Sequence, residues 1–358
     1  MPLPPRQSPF HLALFASTVQ GCKQRAPLHS DRSRRTMASM AEFWSNRSVV
    51  VTGGNGFLGR VVVRLLAERG AKVVAPTHEA FDLTIPRAAD AMLAAYEPTH
   101  VIHLAARVGG IGYNQVAPAP LYFDNLMMGT HIIEAARAAG IEKTVLLGTV
   151  CSYPKFTPVP FKEESFWDGY PEETNAPYGI AKKAHLVHAQ VNAAQYGQKF
   201  AYLIPTNLYG PGDKFHPSVS HVIPALIKKC IEAKETNADF IDVWGTGSAS
   251  REYLYVEDAA AAIVRAAEMH EGIEPINLGS DREITIRETA ETIAEVTGYT
   301  GTLKWDATKP DGQPRRRIDA SRAAELLGWT AGMDFRDGLT RTVNWYLAHR
   351  DQAEAAPH

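Results

Sequence analysis

From residue 45 onward the chain alternates short apolar runs with longer stretches in which apolar positions recur every three or four residues. Consecutive apolar positions at 48–51, 72–75, 100–104, 144–147 and 200–204 read as strands buried on both faces, because a strand with one wet face alternates apolar and polar residues. Between them, 60–69, 88–96, 121–139 and 178–196 carry helical spacing, with Val61, Leu65 and Leu66 on one face of the first. Strands covered on both sides, each followed by a helix long enough to cross over, predict an α/β fold with a doubly wound parallel sheet.

Beyond Asn207 the pattern loses this regularity. Helices are predicted at 219–233, 256–269 and 285–297, and strands at 240–244, 252–255 and 275–278, with the turn Gly245-Thr246-Gly247 between the first two. Thr285 and Glu288 have the spacing of a capping box. This half predicts a second, smaller α/β substrate domain woven into the edge of the first. The expected boundaries are 45–207 plus 236–269 for the dinucleotide-binding domain and 208–235 plus 270–350 for the substrate domain. Segment 1–44 is expected to stand apart as a tail: Arg6, Lys23, Arg25, Arg32, Arg34 and Arg35 face a single acid, Asp31, and the apolar stretch 10–15 is too short for a secretory core. An acid-poor organelle transit peptide, a disordered extension, or a start placed upstream of Met37 or Met40 would each account for it.

Charge narrows the picture. Lys and Arg total 37 against 39 Asp and Glu, so a general nucleic-acid or membrane-surface binder, which carries a basic excess, is not indicated. Cys22, Cys151 and Cys230 lie far apart without a CxxC pair, which suggests neither a metal site nor a disulfide framework and suits a reducing, cytoplasmic setting. No apolar run approaches the ~20 residues that a bilayer span requires.

Two motifs carry chemistry. The first strand runs into Gly53-Gly54-Asn55-Gly56-Phe57-Leu58-Gly59, and a helix follows at once. Glycines in a strand–turn–helix context allow a tight turn and close approach of backbone to a pyrophosphate, while the helix amino end offers free N–H groups and a positive dipole. Alone, such a turn also suits a purely structural role; in this context it reads as a Rossmann dinucleotide site. The second strand ends Val74-Ala75-Pro76-Thr77-His78 with no acid at its tip, where an acid would bind the ribose 2′-hydroxyl of NAD. That points to NADP(H), with His78 and Arg60 as candidate partners for the extra phosphate and Asp82-Leu83 placed for the adenine. Further along, Tyr178 and Lys182 are four apart and therefore share a helix face. The bland alternative is a solvated helix face. In the functional reading the lysine cation lowers the tyrosine pKa from about 10 and fits it for proton transfer.

With His103-Leu104-Ala105-Ala106 and Asn125, these motifs resemble the extended short-chain dehydrogenase/reductases over essentially the whole chain after residue 44. Further segments resemble the members that epimerise and reduce 4-keto nucleotide sugars: Ala106-Arg107-Val108-Gly109-Gly110-Ile111, Cys151-Ser152-Tyr153-Pro154-Lys155, Pro205-Thr206-Asn207-Leu208-Tyr209-Gly210-Pro211, the run from His216 through Ser218 and His221 to Leu226, and Lys309-Pro310-Asp311-Gly312-Gln313-Pro314-Arg315. The resemblance implies an oxidoreductase and isomerase that uses NADP(H) to epimerise C3 and C5 of GDP-4-keto-6-deoxymannose and then reduce C4, working as a homodimer through helices near Asn125 and Tyr178.

It also implies roles at matched positions. Thr149, Tyr178 and Lys182 form the catalytic triad, a mild departure because Ser is common at the first position. Cys151 is the epimerisation base and His221 its partner acid. Cofactor contacts are implied for Gly53, Asn55, Gly56, Phe57, Leu58, Gly59, Asp82, Leu83, Ala105, Ala106, Tyr178, Lys182, Pro205, Asn207, Leu208 and His221. Substrate contacts are implied for Lys229, Trp244, Arg251 and Arg316. Asn55 departs from members that carry Arg near the NADP phosphate. The chemistry is coherent: a ketone acidifies the hydrogens on both neighbouring carbons, and inversion needs a base and an acid on opposite faces. Without the resemblance Cys151 reads as a small buried hydrophobe, His221 as a capping or surface histidine and Arg251 as a surface ion-pair partner. A 4-epimerase or dehydratase of nucleotide sugars on the same frame is the alternative, although a dehydratase would be expected to carry an acidic pair where Cys151-Ser152 stands. A non-catalytic cofactor binder would typically have lost Tyr178 or Lys182.

Overall fold

The computed structural model describes residues 42–217, 219–309, 311 and 313–355. The expected tail up to residue 41, and Ser218, Pro310 and Gly312 of the motif segments, lie outside the described residues. In chain order the first half runs β1 (Ser48–Thr52), α1 (Phe57–Glu68), β2 (Lys72–Val74), α2 (Ala88–Tyr96), β3 (His100–His103), α3 (Ile111–Val116), α4 (Pro118–Ala138), β4 (Lys143–Leu147), α5 (Ala176–Tyr196) and β5 (Phe200–Pro205). The second half runs β6 (Asn207–Tyr209), α6 (Val222–Glu235), β7 (Phe240–Trp244), β8 (Ser250–Tyr255), α7 (Val256–Met269), β9 (Pro275–Leu278), β10 (Glu283–Thr285), α8 (Ile286–Thr297), β11 (Thr302–Asp306), β12 (Arg315–Arg316), α9 (Ser321–Leu327), α10 (Phe335–Ala348) and α11 (Arg350–Glu354).

Six parallel strands form the central sheet in the order β2-β1-β3-β4-β5-β9. Alternate residues of each strand feed two cores, as the two-residue side-chain period requires. Val49, Val51, Ile102, Val145 and Leu203 pack with α1 and α7, whereas Val50, Val101, Leu146 and Ile204 pack with α2, α4 and α5. Each such fully buried aliphatic side chain stabilises the fold by about 1.5–3 kcal/mol. The doubly wound parallel sheet is therefore as the consecutive apolar runs predict.

The second half differs from its expected division. Strands β7 and β8, expected with the dinucleotide-binding residues, belong to small separate sheets: β7 pairs β11, and β8 pairs β6, β10 and β12. Conversely β9, expected among the substrate-side residues, is the sixth strand of the central sheet. Sequence pattern marks a strand but not its neighbour, so this exchange was not readable. A third core, with Tyr209, Phe215, Ile227 and Ile293, underlies the small sheets. Glu252 on β8 ties the two halves. Its buried carboxylate accepts the N–H groups of Ser280 (2.7 Å) and Asp281 (2.8 Å) just after β9, and of Ile318 (2.8 Å). The capping box of Thr285 and Glu288 is present at the head of α8.

The folded chain also begins before residue 45. Trp44, expected in the tail, is fully buried against α7, and its indole N–H donates to Glu268 at 2.6 Å. One buried aromatic beside Phe43 is too short a signal for periodicity to register.

Candidate active site

The glycine turn is built by exclusion of side chains. Gly53 has φ +70°, and a Cβ there would lie 2.7 Å from the Ala105 nitrogen; a Cβ on Gly59 would overlap the Gly53 carbonyl oxygen. Such positions admit only glycine. Helix α1 begins at Phe57, three residues earlier than the apolar spacing predicts, with Gly56 as its N-cap and Leu58 buried beneath it. No side chain caps this end and no acid lies in its first turn. Its free N–H groups and dipole are thus available to an anion, and the cradle fits a dinucleotide pyrophosphate.

Past this turn, Asn55 donates to the Ala75 carbonyl at 3.2 Å, just beyond β2, and the Arg60 Nε donates to the Asn55 carbonyl at 2.8 Å. That contact holds an exposed guanidinium beside the end of β2, where a 2′-phosphate would sit. His78 is exposed and stands 3.8 Å from Asp82. Asp82 accepts the N–H and hydroxyl of Thr84, and these bonds hold its carboxyl below the usual range. Leu83 is buried. Ala105 and Ala106 follow β3, Pro205 closes β5, and Asn207 and Leu208 lie in β6, so these residues stand at or just beyond the carboxyl ends of central strands. Ligands bind at such ends in doubly wound sheets. Asn125 is buried and locks the β3 exit by accepting from Arg107 N–H (3.1 Å) and donating to its carbonyl (2.9 Å).

Thr149, Cys151, Tyr178 and Lys182 come together beyond β4. Thr149 caps a short 3-10 turn, Val150–Ser152, and its hydroxyl oxygen accepts the Cys151 N–H at 3.2 Å. The absence of a side chain at Gly179 lets α5 lie against this turn: a Cβ there would sit 2.6 Å from the Cys151 carbonyl oxygen. Ser152 seals the contact by donating to the Gly179 carbonyl at 2.9 Å. Lys182 is 1 % exposed, with its Nζ 5.8 Å from the Tyr178 ring centre. Burial lowers its pKa to about 8. The expected depression of the Tyr178 pKa is not found. The protein packed around the phenol raises it, and the neighbouring Cys151 charge adds to the rise. Tyr178 is therefore a neutral O–H, a donor rather than a phenolate.

The substrate-side residues divide into two groups. Arg316 approaches Cys151 directly, with Nη1 3.7 Å from Sγ. Parallel pairing of β12 with β8 sets Arg316 opposite Arg251. Arg251 donates to the carbonyls of Ser250 (2.7 Å), Gln313 (2.6 Å) and Asp311 (3.2 Å). Burial, and then the Arg316 charge, lower its pKa to about 10. The other group has local contacts of its own: the Lys229 ammonium donates to the Asp242 carbonyl at 2.8 Å, and Trp244 is 63 % exposed with Lys309 Nζ 5.5 Å from its ring centre.

His221 caps α6, which starts at Val222 rather than at 219. The residue is exposed, yet the protein mass around its imidazole, and then the Lys214 cation, lower its pKa. The residue before it lies against the start of α3, and α3 in turn touches the residue that precedes α5. Gly110 packs on the Ser220 carbonyl, and Asn114 donates to Asn175, three residues before Tyr178, at 3.3 Å. Sequence reasoning did not single out Gln313 or Asp311 as site residues. Both act by joining segments remote in the chain: Asp311 accepts the N–H (2.7 Å) and hydroxyl (2.8 Å) of Thr246, and Gln313 donates to the Lys155 carbonyl at 3.0 Å.

Residues 49–279 match the NAD dependent epimerase/dehydratase family, and the chain belongs to it. Among curated relatives, the chain is 43 % identical over 315 residues to GDP-L-fucose synthase 1 of Arabidopsis thaliana, covering 87 % of this chain and 97 % of that one. It is 39 % identical over 318 residues to GDP-L-fucose synthase of Escherichia coli K12, covering 86 % and 99 %. A solved GDP-L-fucose synthetase from Naegleria fowleri bound to NADP superposes with a TM-score of 0.79 at 28 % identity, covering 87 % of this chain and 97 % of that one.

Proposed function

We propose that the protein binds NADP(H) and converts GDP-4-keto-6-deoxymannose to GDP-L-fucose, inverting C3 and C5 and then reducing C4. The observation that carries this reading is the packing of the Cys151 turn on the Tyr178 helix, where Gly179 meets the Cys151 carbonyl and accepts the Ser152 hydroxyl at 2.9 Å. As a thiolate, Cys151 removes a proton from a carbon next to the ketone, and the electron pair passes to the C4 oxygen. His221 returns a proton from the opposite face. Thr149 accepts the Cys151 N–H and so has its hydroxyl proton free for the C4 oxygen, which the Tyr178 O–H also meets. When bound, NADPH supplies hydride to C4. Tyr178, kept neutral by its surroundings, gives its proton to the C4 oxygen, and Lys182 on the next helical turn would hold the nicotinamide ribose. Arg251 would contact the substrate phosphates, and Lys229 and Trp244 other parts of the substrate.

Incubation with NADPH and the 4-keto sugar in deuterated water, read by NMR, tests the assignment. The expected product is GDP-L-fucose with deuterium at C3 and C5. NADPH oxidation that leaves both positions protonated would reduce the protein to a simple 4-reductase.

We also infer a homodimer through α4 and α5. Tyr122, Phe123, Val187 and Val191 are exposed apolar residues on these two mutually packed helices, the kind of face a two-fold pairing covers. Val187→Glu combined with Val191→Glu should yield monomers in sedimentation equilibrium; an unchanged dimer would place the interface elsewhere. Among the described residues no helix is long and apolar enough to cross a membrane, and the two described cysteines are free thiols. The latter supports a cytoplasmic setting.

A further inference from the structure

Cys151 needs a counter-charge if it is to work as a thiolate. The 3-10 turn that carries it spans three residues, too short to supply much dipole, and its N–H is already given to Thr149. The Arg316 guanidinium, by contrast, directs Nη1 at the sulfur from 3.7 Å. Its other two nitrogens are occupied: Nε (3.2 Å) and Nη2 (3.1 Å) both donate to the Gln313 side-chain oxygen. Gln313 is itself fixed at both ends. Its amide nitrogen donates to the carbonyl of Lys155, four residues past Cys151, and its main-chain carbonyl accepts Arg251. Among the described residues Arg316 has no carboxylate within ion-pair distance, and its nearest charged neighbour across the strand pair is another cation, Arg251.

We propose that Arg316 is the counter-ion of the Cys151 thiolate and that Gln313 is the positioning residue that aims it. This rests on the epimerisation reading. A planar guanidinium with two nitrogens held by one oxygen keeps a single orientation, which a mobile ammonium would not. In the reaction the C–H bond breaks, an S–H bond forms and the electron pair moves to the C4 oxygen. The positive charge of Arg316 stabilises the sulfur before that transfer and leaves it free to accept the proton. The residue thus belongs to the base, in addition to any contact with substrate.

The test uses the full chain with NADP⁺ and no sugar. Alkylation of Cys151 by iodoacetamide is followed by peptide mass spectrometry across pH. Arg316→Gln should slow it at least tenfold at neutral pH, with the difference closing in alkali, where the thiol ionises unaided. Arg316→Lys should keep part of the rate, because charge remains without the fork. Gln313→Met should slow it severalfold while retaining NADP⁺ affinity. Wild-type alkylation rates in Arg316→Gln would overturn the proposal. So would slowed deuterium exchange at C3 and C5 with unchanged alkylation, since Arg316 would then act on the sugar alone. In exchange assays the expected loss is in kcat, with the rising limb of the pH profile displaced to higher pH. Should wild-type protein exchange no deuterium, the epimerase reading fails, while the alkylation result still decides the Arg316–sulfur contact.

Discussion

The two halves of this molecule are built by different means around the ligands proposed for them. In the proposed cofactor half the work falls to backbone, glycines that admit no Cβ and an uncapped helix end, with the buried ammonium of Lys182 beside Tyr178. In the substrate half it falls to side chains, with Arg251, Arg316, Gln313, Asp311 and Thr246 joined in a chain of polar contacts across short strands and loops. Packing fixes the first arrangement, so it tolerates almost no change of shape. The second is held by links worth about 1 kcal/mol each, so it can be retuned one contact at a time.

Perturbations should separate the halves in a graded way. The largest effect is expected from Tyr178→Phe, which removes the proton donor and should slow hydride transfer by about a thousandfold. NADP⁺ affinity should stay within about threefold, since a lost proton donor need not disturb the cradle. Single-turnover loss of nicotinamide absorbance checks it, and a collapse of cofactor binding instead would blur the division. Next comes the buried ammonium. Lys182 has a pKa of about 8 in the fold against an ordinary 10.5. Below 8 both folded and unfolded chains hold the proton, and the burial penalty is paid in full. Between 8 and 10.5 only the unfolded chain binds it, so stability of the cofactor-free protein rises with pH across that window, by on the order of 3 kcal/mol. Lys182→Met should remove this increment in urea titrations at several pH values and leave the one that buried Lys143, with a pKa lowered to about 7, contributes; equal slopes in both proteins would show that the Lys182 ammonium is solvated.

Gly59→Ala follows, because its methyl would overlap the Gly53 carbonyl oxygen. A loss of about 1–3 kcal/mol in stability is expected, with NADP⁺ binding weakened in parallel by calorimetry. Wild-type affinity would mean that the turn can move. The smallest effect belongs to the other half: Thr246→Val removes exposed hydroxyl bonds to Asp311 and Ser248, worth about 1 kcal/mol each, and should raise KM for the GDP-sugar severalfold with KM for NADPH unaltered. A change in the NADPH constant would show that the halves are coupled.

What could be read from sequence follows the same divide. Consecutive apolar runs announce buried parallel strands, and five of the six central strands were legible as members of that sheet. The glycine turn and the Tyr178–Lys182 spacing are local patterns, so they too were visible. The second half resisted because β10 has three residues and β12 two, too few for any period to emerge. Strand β9 was visible as a strand, but its pairing with β5 is a long-range fact. The expected depression of the Tyr178 pKa failed for a related reason: spacing reveals the lysine but not the packing, and packing dominates both groups. Gln313 was hidden because its importance lies in touching Arg316 and Lys155 at once.

The Trp44–Glu268 hydrogen bond sets a limit on trimming at the amino end. Translation or proteolytic maturation that begins at Met37 or Met40 keeps residue 44 and its indole. Cutting a few residues later empties a tryptophan-sized hole against α7 and takes the indole N–H from the buried Glu268 carboxylate, which keeps Arg69 at 3.6 Å. A ladder of amino-terminal truncations should therefore show an abrupt fall in melting temperature at the step that removes residue 44.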